Sequence, residues 1–241
     1  MFNKIFDPSS YFYNPYSIPP AAVGILIFSI GLFVYKQSRK SLINTAFFLQ
    51  CFSVALWVFT IAFVYSSRAP ETALTWYRYI TFFGVVNIMP SFSLLAIVWS
   101  GKLKQKRIHA IANYLIAFIF YFLAIQTDKI INPYQMRKFF WGFYPIYEPW
   151  AIAFMLTYIL QFAEGLRLLY TARQNEKIPI RRSQITTMGL ATLIASTASA
   201  DFIPKFFNLR LYPYGYLPIF IYVCLAAYSI VKYRTFDIET A

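Results

Sequence analysis

The chain has 241 residues, 59% of them hydrophobic and only 13% charged, with 22 Lys and Arg against 9 Asp and Glu. A soluble domain carries about 25% charged residues, so a water-soluble globule is excluded and an integral membrane protein is the first reading. The net charge of +13 invites a nucleic-acid partner, but the basic residues stand in short clusters between apolar runs, which is how a membrane protein fixes its orientation.

Residues 1–16 lack a basic start followed by an apolar run, so no cleavable leader is expected. A crossing helix needs roughly 20 apolar residues, and seven stretches qualify. The first, near 17–36, ends at the basic "KQSRKS". The second, near 42–66, holds Cys51; the third, near 76–100, carries Gly84, Asn87 and Ser91 at helical spacing. Pro90 in that third stretch leaves a carbonyl one turn back without its usual donor, so the region faces a cavity or a neighbouring helix. "GKLKQKR" leads to the fourth, near 108–126, with the sole histidine, His109, at its start as an interfacial residue. An aromatic connection containing Trp141 and Tyr144 precedes the fifth, near 148–170, where Thr157, Gln161 and Glu164 align. "ARQNEKIPIRR" leads to the sixth, near 183–205, with Gly189, Thr192, Ser196 and Ser199 on one small face. The seventh, near 213–233, holds Cys224. Both cysteines lie inside apolar runs and read as packing thiols, not a disulfide framework. Helix packing accounts for each polar stripe, taken singly, better than ligand binding does.

The expected fold is therefore all-α: a polytopic bundle of seven transmembrane helices. Most of the 22 basic residues fall in alternate connections and at the C-terminal end. By the positive-inside rule this places the N-terminus outside and the C-terminus inside. Tyr11, Tyr13, Tyr16, Trp76, Trp141, Trp150 and Tyr212 cluster at the outer boundary, where a ring sits in lipid and its polar edge stays wet.

The stretch "ASTASADFIPKFF" poses a problem, because Asp201 interrupts a small, apolar run. Counted from Ser183 at about 1.5 Å per residue, Asp201 lies close to the outer edge of a ~30 Å core. Arg78, two residues into the third stretch, lies at the same depth, so an Arg78–Asp201 ion pair is expected. Glu164 and Arg167, three apart, are expected to pair at the inner interface.

Three stretches carry a family resemblance. "WYRYITFFGVVNIMPSFSLLAIVWSGK" has a Trp/Arg start, a central Pro-x-Phe and a final Ser-Gly-basic turn. "FFWGFYPIYEPW" supplies Trp-Gly-x-Tyr-Pro. The stretch from Arg181 to Glu239 carries Arg-x-Gln, Asp-x-x-Pro, Tyr-Pro-x-Gly and Tyr-Arg-x-Phe-Asp-Ile in order. Together they resemble the seven-helix N-terminal region of bacterial sensor histidine kinases and of related cyclase-linked receptors, over about residues 20 to 240.

The resemblance implies a sensory module at 1–235 in the bacterial cytoplasmic (inner) membrane, with 236–241 beginning a linker to a cytoplasmic output domain in cis. The chain stops soon after "YRTF", which suggests a cut piece. A homodimer follows from the resemblance alone, and no cofactor, metal or nucleic acid is expected. The stimulus is unknown; the aromatic density suits a lipid-like or amphipathic small molecule, bound near Arg78, Asn87, Trp141, Tyr144, Asp201 and Tyr214. Lys232, Tyr233, Arg234, Phe236 and Asp237 would pass the signal on. Those aromatics also fit a plain interfacial belt. A transporter or a stand-alone partner-binding protein is the alternative; a transporter wants ionisable groups or broken helices at the midplane, and apart from Asn87 and Pro90 these are lacking. Catalysis is not expected, since no His, Cys or carboxylate cluster shares one depth. Retinal chemistry is not expected either, since the last stretch holds no lysine before Lys232.

Overall fold

Prolines open the first helix: α1 (Ile18–Gln37) carries Pro19 and Pro20 in its first turn, where a missing N–H costs no hydrogen bond. The computed structural model describes residues 2–134, 136–207 and 209–233. α2 (Leu42–Ser66) starts at Ser41, whose side chain accepts from the Asn44 amide. A short helix, α3 (Pro70–Thr75), passes through a π-helical turn at Trp76–Thr81 into α4 (Phe82–Trp99). Gly101, at φ +69°, closes α4 with the left-handed residue that such ends favour. α5 (Leu103–Gln126) follows, kinked at Lys106.

Strands β1 (Arg137–Phe139) and β2 (Gly142–Tyr144) then form an antiparallel hairpin, with Arg137 opposite Tyr144. After α6 (Trp150–Asn175) and α7 (Pro179–Ser196), the chain tightens into a 3-10 stretch, Thr197–Phe202, and a single turn, α8 (Ile203–Phe207). α9 (Tyr216–Tyr233) completes the bundle.

α4 is the central helix, packed against α2, α5 and α6. α1 lies on α2, α7 on α6, and α9 on both α7 and α1, so α1, α2, α4, α6, α7 and α9 close into a ring and α5 packs on α4 beside it. Gly84 lets α4 reach the α2 backbone: a Cβ there would stand 2.7 Å from the Trp57 amide nitrogen. Lipid tails are as apolar as leucine, so small residues and polar side chains must supply the cohesion between helices. Ser91 on α4 bonds Ser53 on α2 and Tyr114 on α5, each at 3.2 Å, and Asn113 donates to Ser93 at 2.9 Å. The Glu164–Arg167 pair forms as expected (2.8 Å), and Lys106 joins it from α5 at 2.6 Å.

Among the described residues, five helical stretches are long and apolar enough to cross a membrane: Pro15–Gln37, Leu42–Ser66, Pro70–Trp99, Leu103–Gln126 and Trp150–Asn175. Tyr216–Ile230 is apolar but shorter. The expected sixth stretch is helical yet interrupted, because the 3-10 segment and α8 replace its last turns. Gly189 is not a contact glycine, since nothing lies within 4 Å of a Cβ built there. This is an all-α, multi-pass membrane protein.

Candidate ligand site at the hairpin end

The N-terminal segment, the hairpin and the ends of α2, α5, α7 and α9 meet at one end of the bundle. Asn14, buried, donates to the carbonyls of Tyr65 and Trp141, both at 2.8 Å, which ties the N-terminal segment over α2 and the hairpin. Tyr144 donates from its hydroxyl to the Asp201 carbonyl at 2.8 Å, and the Tyr147 amide donates to the Lys205 carbonyl at 3.0 Å. Burial holds the phenols of Tyr144 and Tyr147 well above the ordinary tyrosine range, so both remain neutral hydrogen-bonding groups.

The Asp201 carboxylate turns toward the start of α9. Its two oxygens accept from the Gly215 amide at 2.9 and 3.0 Å. Asp201 thus joins the end of the α7 segment to the residue preceding the last helix. A Cβ at Gly215 would meet the Asp201 Oδ2 atom, so a side chain there would push the carboxylate off the joint. Beside this joint opens a cavity of about 380 Å³, lined by Thr197, Asp201, Pro204, Tyr212, Tyr214 and Pro218 among others.

The expected Arg78–Asp201 pair is replaced by a different one. Arg78 donates to the carbonyls of Ala124 and Thr127 and to Asp128 Oδ1 at 3.0 Å. The physical reason is helix-end chemistry: α5 ends at Gln126 with carbonyls that lack intrahelical donors, and a guanidinium supplies several at once. Asp201 instead accepts from the Gly215 amide and has Lys205, one helical turn on, as its nearby cation.

Lys205 was not among the expected site residues, yet it is fully buried. Its Nζ has no hydrogen-bond partner among the described residues. Instead it stands over the rings of Phe202 (4.6 Å), Tyr144 (4.7 Å), Tyr77 and Tyr147 (both 5.6 Å). The signal for it in the sequence is the i,i+4 spacing of Asp201 and Lys205. Rings around a desolvated cation contribute on the order of 2 kcal/mol, and the Asp201 carboxylate adds attraction, whereas drying an ammonium costs several kcal/mol; the cost at least offsets the gains. Lys205→Met, which keeps the stem and removes the charge, is therefore expected to leave thermal stability unchanged or raised. Lys205→Ala, which leaves a hole, lowers it by about 2–4 kcal/mol. Unfolding of both variants in one detergent checks the pair, and a large loss in Lys205→Met contradicts the reading.

The remaining expected residues separate. Tyr214 shares the cavity with Asp201. Trp141 and Tyr144 are buried packing residues: Trp141 stacks on Phe139 at 4.5 Å and meets Tyr212 edge-on at 5.8 Å. Asn87 lines a separate groove with Phe83, Tyr114 and Tyr121, and donates to the Phe83 carbonyl of its own helix at 2.8 Å. Lys232 and Tyr233 close α9, while Arg234, Phe236 and Asp237 lie outside the described residues.

No curated protein and no solved structure matches the chain. The family model described as the N-terminal 7TM region of histidine kinases matches residues 20–239. With nearly the whole chain matched and a helical membrane bundle as its fold, the protein belongs to the family of N-terminal seven-transmembrane regions of histidine kinases.

Proposed function

We propose that this membrane signal-input module receives an amphipathic small molecule in the cavity beside Asp201, and that α9 carries the result to a cytoplasmic output domain in cis. In this reading the chain crosses the inner membrane of a bacterium seven times. The hairpin end faces outward and the basic end inward, as the charge distribution favours. The observation that carries the proposal is the shared joint: Asp201 forms part of the cavity wall and also holds the Gly215 amide at the start of α9. A molecule in the cavity therefore touches the last turns before α8 and the entry to the final helix together. A stimulus shifts a two-state bundle only through different affinities for the two states, and this joint is where such a difference acts.

The cavity wall is largely apolar, with one carboxylate and the tyrosines at 212 and 214. Such a lining suits an apolar body with a hydrogen-bond donor at its head. Dodecanol is a suitable probe. Spin labels at the lipid-exposed positions Leu190 on α7 and Phe220 on α9, in a chain with Cys51 and Cys224 replaced, report the distance between the two helices in nanodiscs. Dodecanol is expected to shift that distance in the parent chain, and Asp201→Asn to reduce the shift. An unchanged distribution at saturating dodecanol argues against this cavity as the input site for this class of ligand.

A further inference from the structure

At the opposite end of the bundle, a second cavity of about 450 Å³ lies between the end of α6 and the start of α7. Arg173, Lys177 and Arg182 line it, together with Ser183, Thr186 and Thr187, and no carboxylate among the described residues does. Arg173, half-buried, donates from Nε to Thr186 Oγ1 at 2.9 Å, which fixes its guanidinium across the gap between the helices. Glu176, the acid in the connection, has its Oε1 engaged by the Ile178 amide at 2.9 Å. Among the described residues, none of the three cations forms an ion pair.

Three cations without an ion pair among the described residues, with the hydroxyls of Ser183 and Thr187 beside them, match the chemistry of a phosphate ester, an anion with several strong acceptor oxygens. What lies next to the cavity identifies the source. Ser183, Thr186, Thr187, Leu190 and Leu193 follow one another at helical spacing on α7, and the two leucines are exposed large apolar side chains. A molecule with its phosphate among Arg173, Lys177 and Arg182 therefore has a continuous apolar track for acyl chains along the same helix face. Basic pockets between helices at the membrane surface hold anionic headgroups by this combination.

We infer that this cavity is a binding site for the phosphate headgroup of an anionic phospholipid, in the leaflet that surrounds the basic end of the bundle. The site goes beyond the input function at the hairpin end and does not depend on it. Occupation would pin the α6 end to the α7 start, and α7 is the helix against which α9 packs.

Native mass spectrometry of the intact chain in detergent, titrated with dioleoylphosphatidylglycerol or dioleoylphosphatidylcholine, tests the inference. The parent chain is expected to retain phosphatidylglycerol in preference to phosphatidylcholine. Near an anionic surface each cation is worth roughly a factor of five. Arg173→Gln/Lys177→Gln/Arg182→Gln together should therefore weaken retention by about a hundredfold, and the exposed Arg182→Gln alone by about fivefold. The matched triple Lys102→Gln/Lys104→Gln/Arg107→Gln removes the same charge from another basic connection and should leave retention near the parent value. Equal losses in the two triples overturn the inference in favour of diffuse charge attraction, as does the absence of a headgroup preference. Displacement of phosphatidylglycerol by millimolar inorganic phosphate overturns the lipid assignment and gives the site to a soluble anion.

Discussion

Gly142→Ala is expected to destabilise the hairpin end by about 3 kcal/mol or more, from backbone strain and overpacking together. Gly142 adopts φ +130°, a conformation that L side chains rarely enter. It also lies against α2, where a Cβ would stand 2.5 Å from the Cα and carbonyl oxygen of Tyr65. The obstacle is backbone, which cannot rotate aside. The displaced segment carries Tyr144, whose hydroxyl holds the Asp201 carbonyl, and its neighbour Trp141, whose carbonyl accepts from Asn14. Thermal unfolding in detergent should therefore fall well below the parent value. Hydrogen exchange should rise first at the hairpin and at residues 197–207. A variant as stable as the parent would show that the close approach to Tyr65 is not a fixed contact.

Arg78→Met is the second large effect, with an expected loss of about 2–5 kcal/mol, the cost of leaving two carbonyls without their donors. The substitution leaves the carbonyls of Ala124 and Thr127 without their side-chain donor at the end of α5. It also removes the attraction between a cation and the negative end of a helix dipole. Asp128 is 60% exposed, so Asp128→Asn should cost no more than about 1 kcal/mol. Arg78→Lys should recover only part of the loss, because a point ammonium does not reproduce the planar fork. Exchanging charges between positions 78 and 201 is expected to add the two losses and to restore nothing. Equal losses in Arg78→Met and Asp128→Asn would shift the weight from the helix end to the ion pair.

Apolar run length made the helices readable in the sequence, since a stretch of some twenty apolar residues has few folded alternatives. The Glu164–Arg167 pair was readable for a similar reason, because three residues apart on a helix is a spatial statement. Arg78 was a different case. Its depth was legible, but its partners belong to the end of α5, and helix-end carbonyls leave no mark in the residue alphabet. Depth alone made Asp201 look like the match. The 3-10 stretch at Thr197–Phe202 was hidden too, because small residues suit a tight turn and a straight helix alike. Of the expected ligand residues, Asp201 and Tyr214 line one cavity, while Trp141 and Tyr144 are enclosed by their own neighbours. Aromatic residues at an interface and aromatic residues in a packed cap have the same sequence signature. Lys205 was overlooked because a lysine near a membrane boundary ordinarily reads as a snorkelling cation; only the rings of Tyr77, Tyr144 and Tyr147, distant in sequence, turn it inward.

The claim that this module serves an output domain in cis is tested most directly by the mass of the endogenous protein, read on an immunoblot with an antibody to the 137–144 hairpin. The account predicts a product much heavier than 28.1 kDa, carrying the output domain on the far side of α9. A product of 28.1 kDa alone would contradict it and leave a stand-alone bundle whose signal must pass to a separate partner.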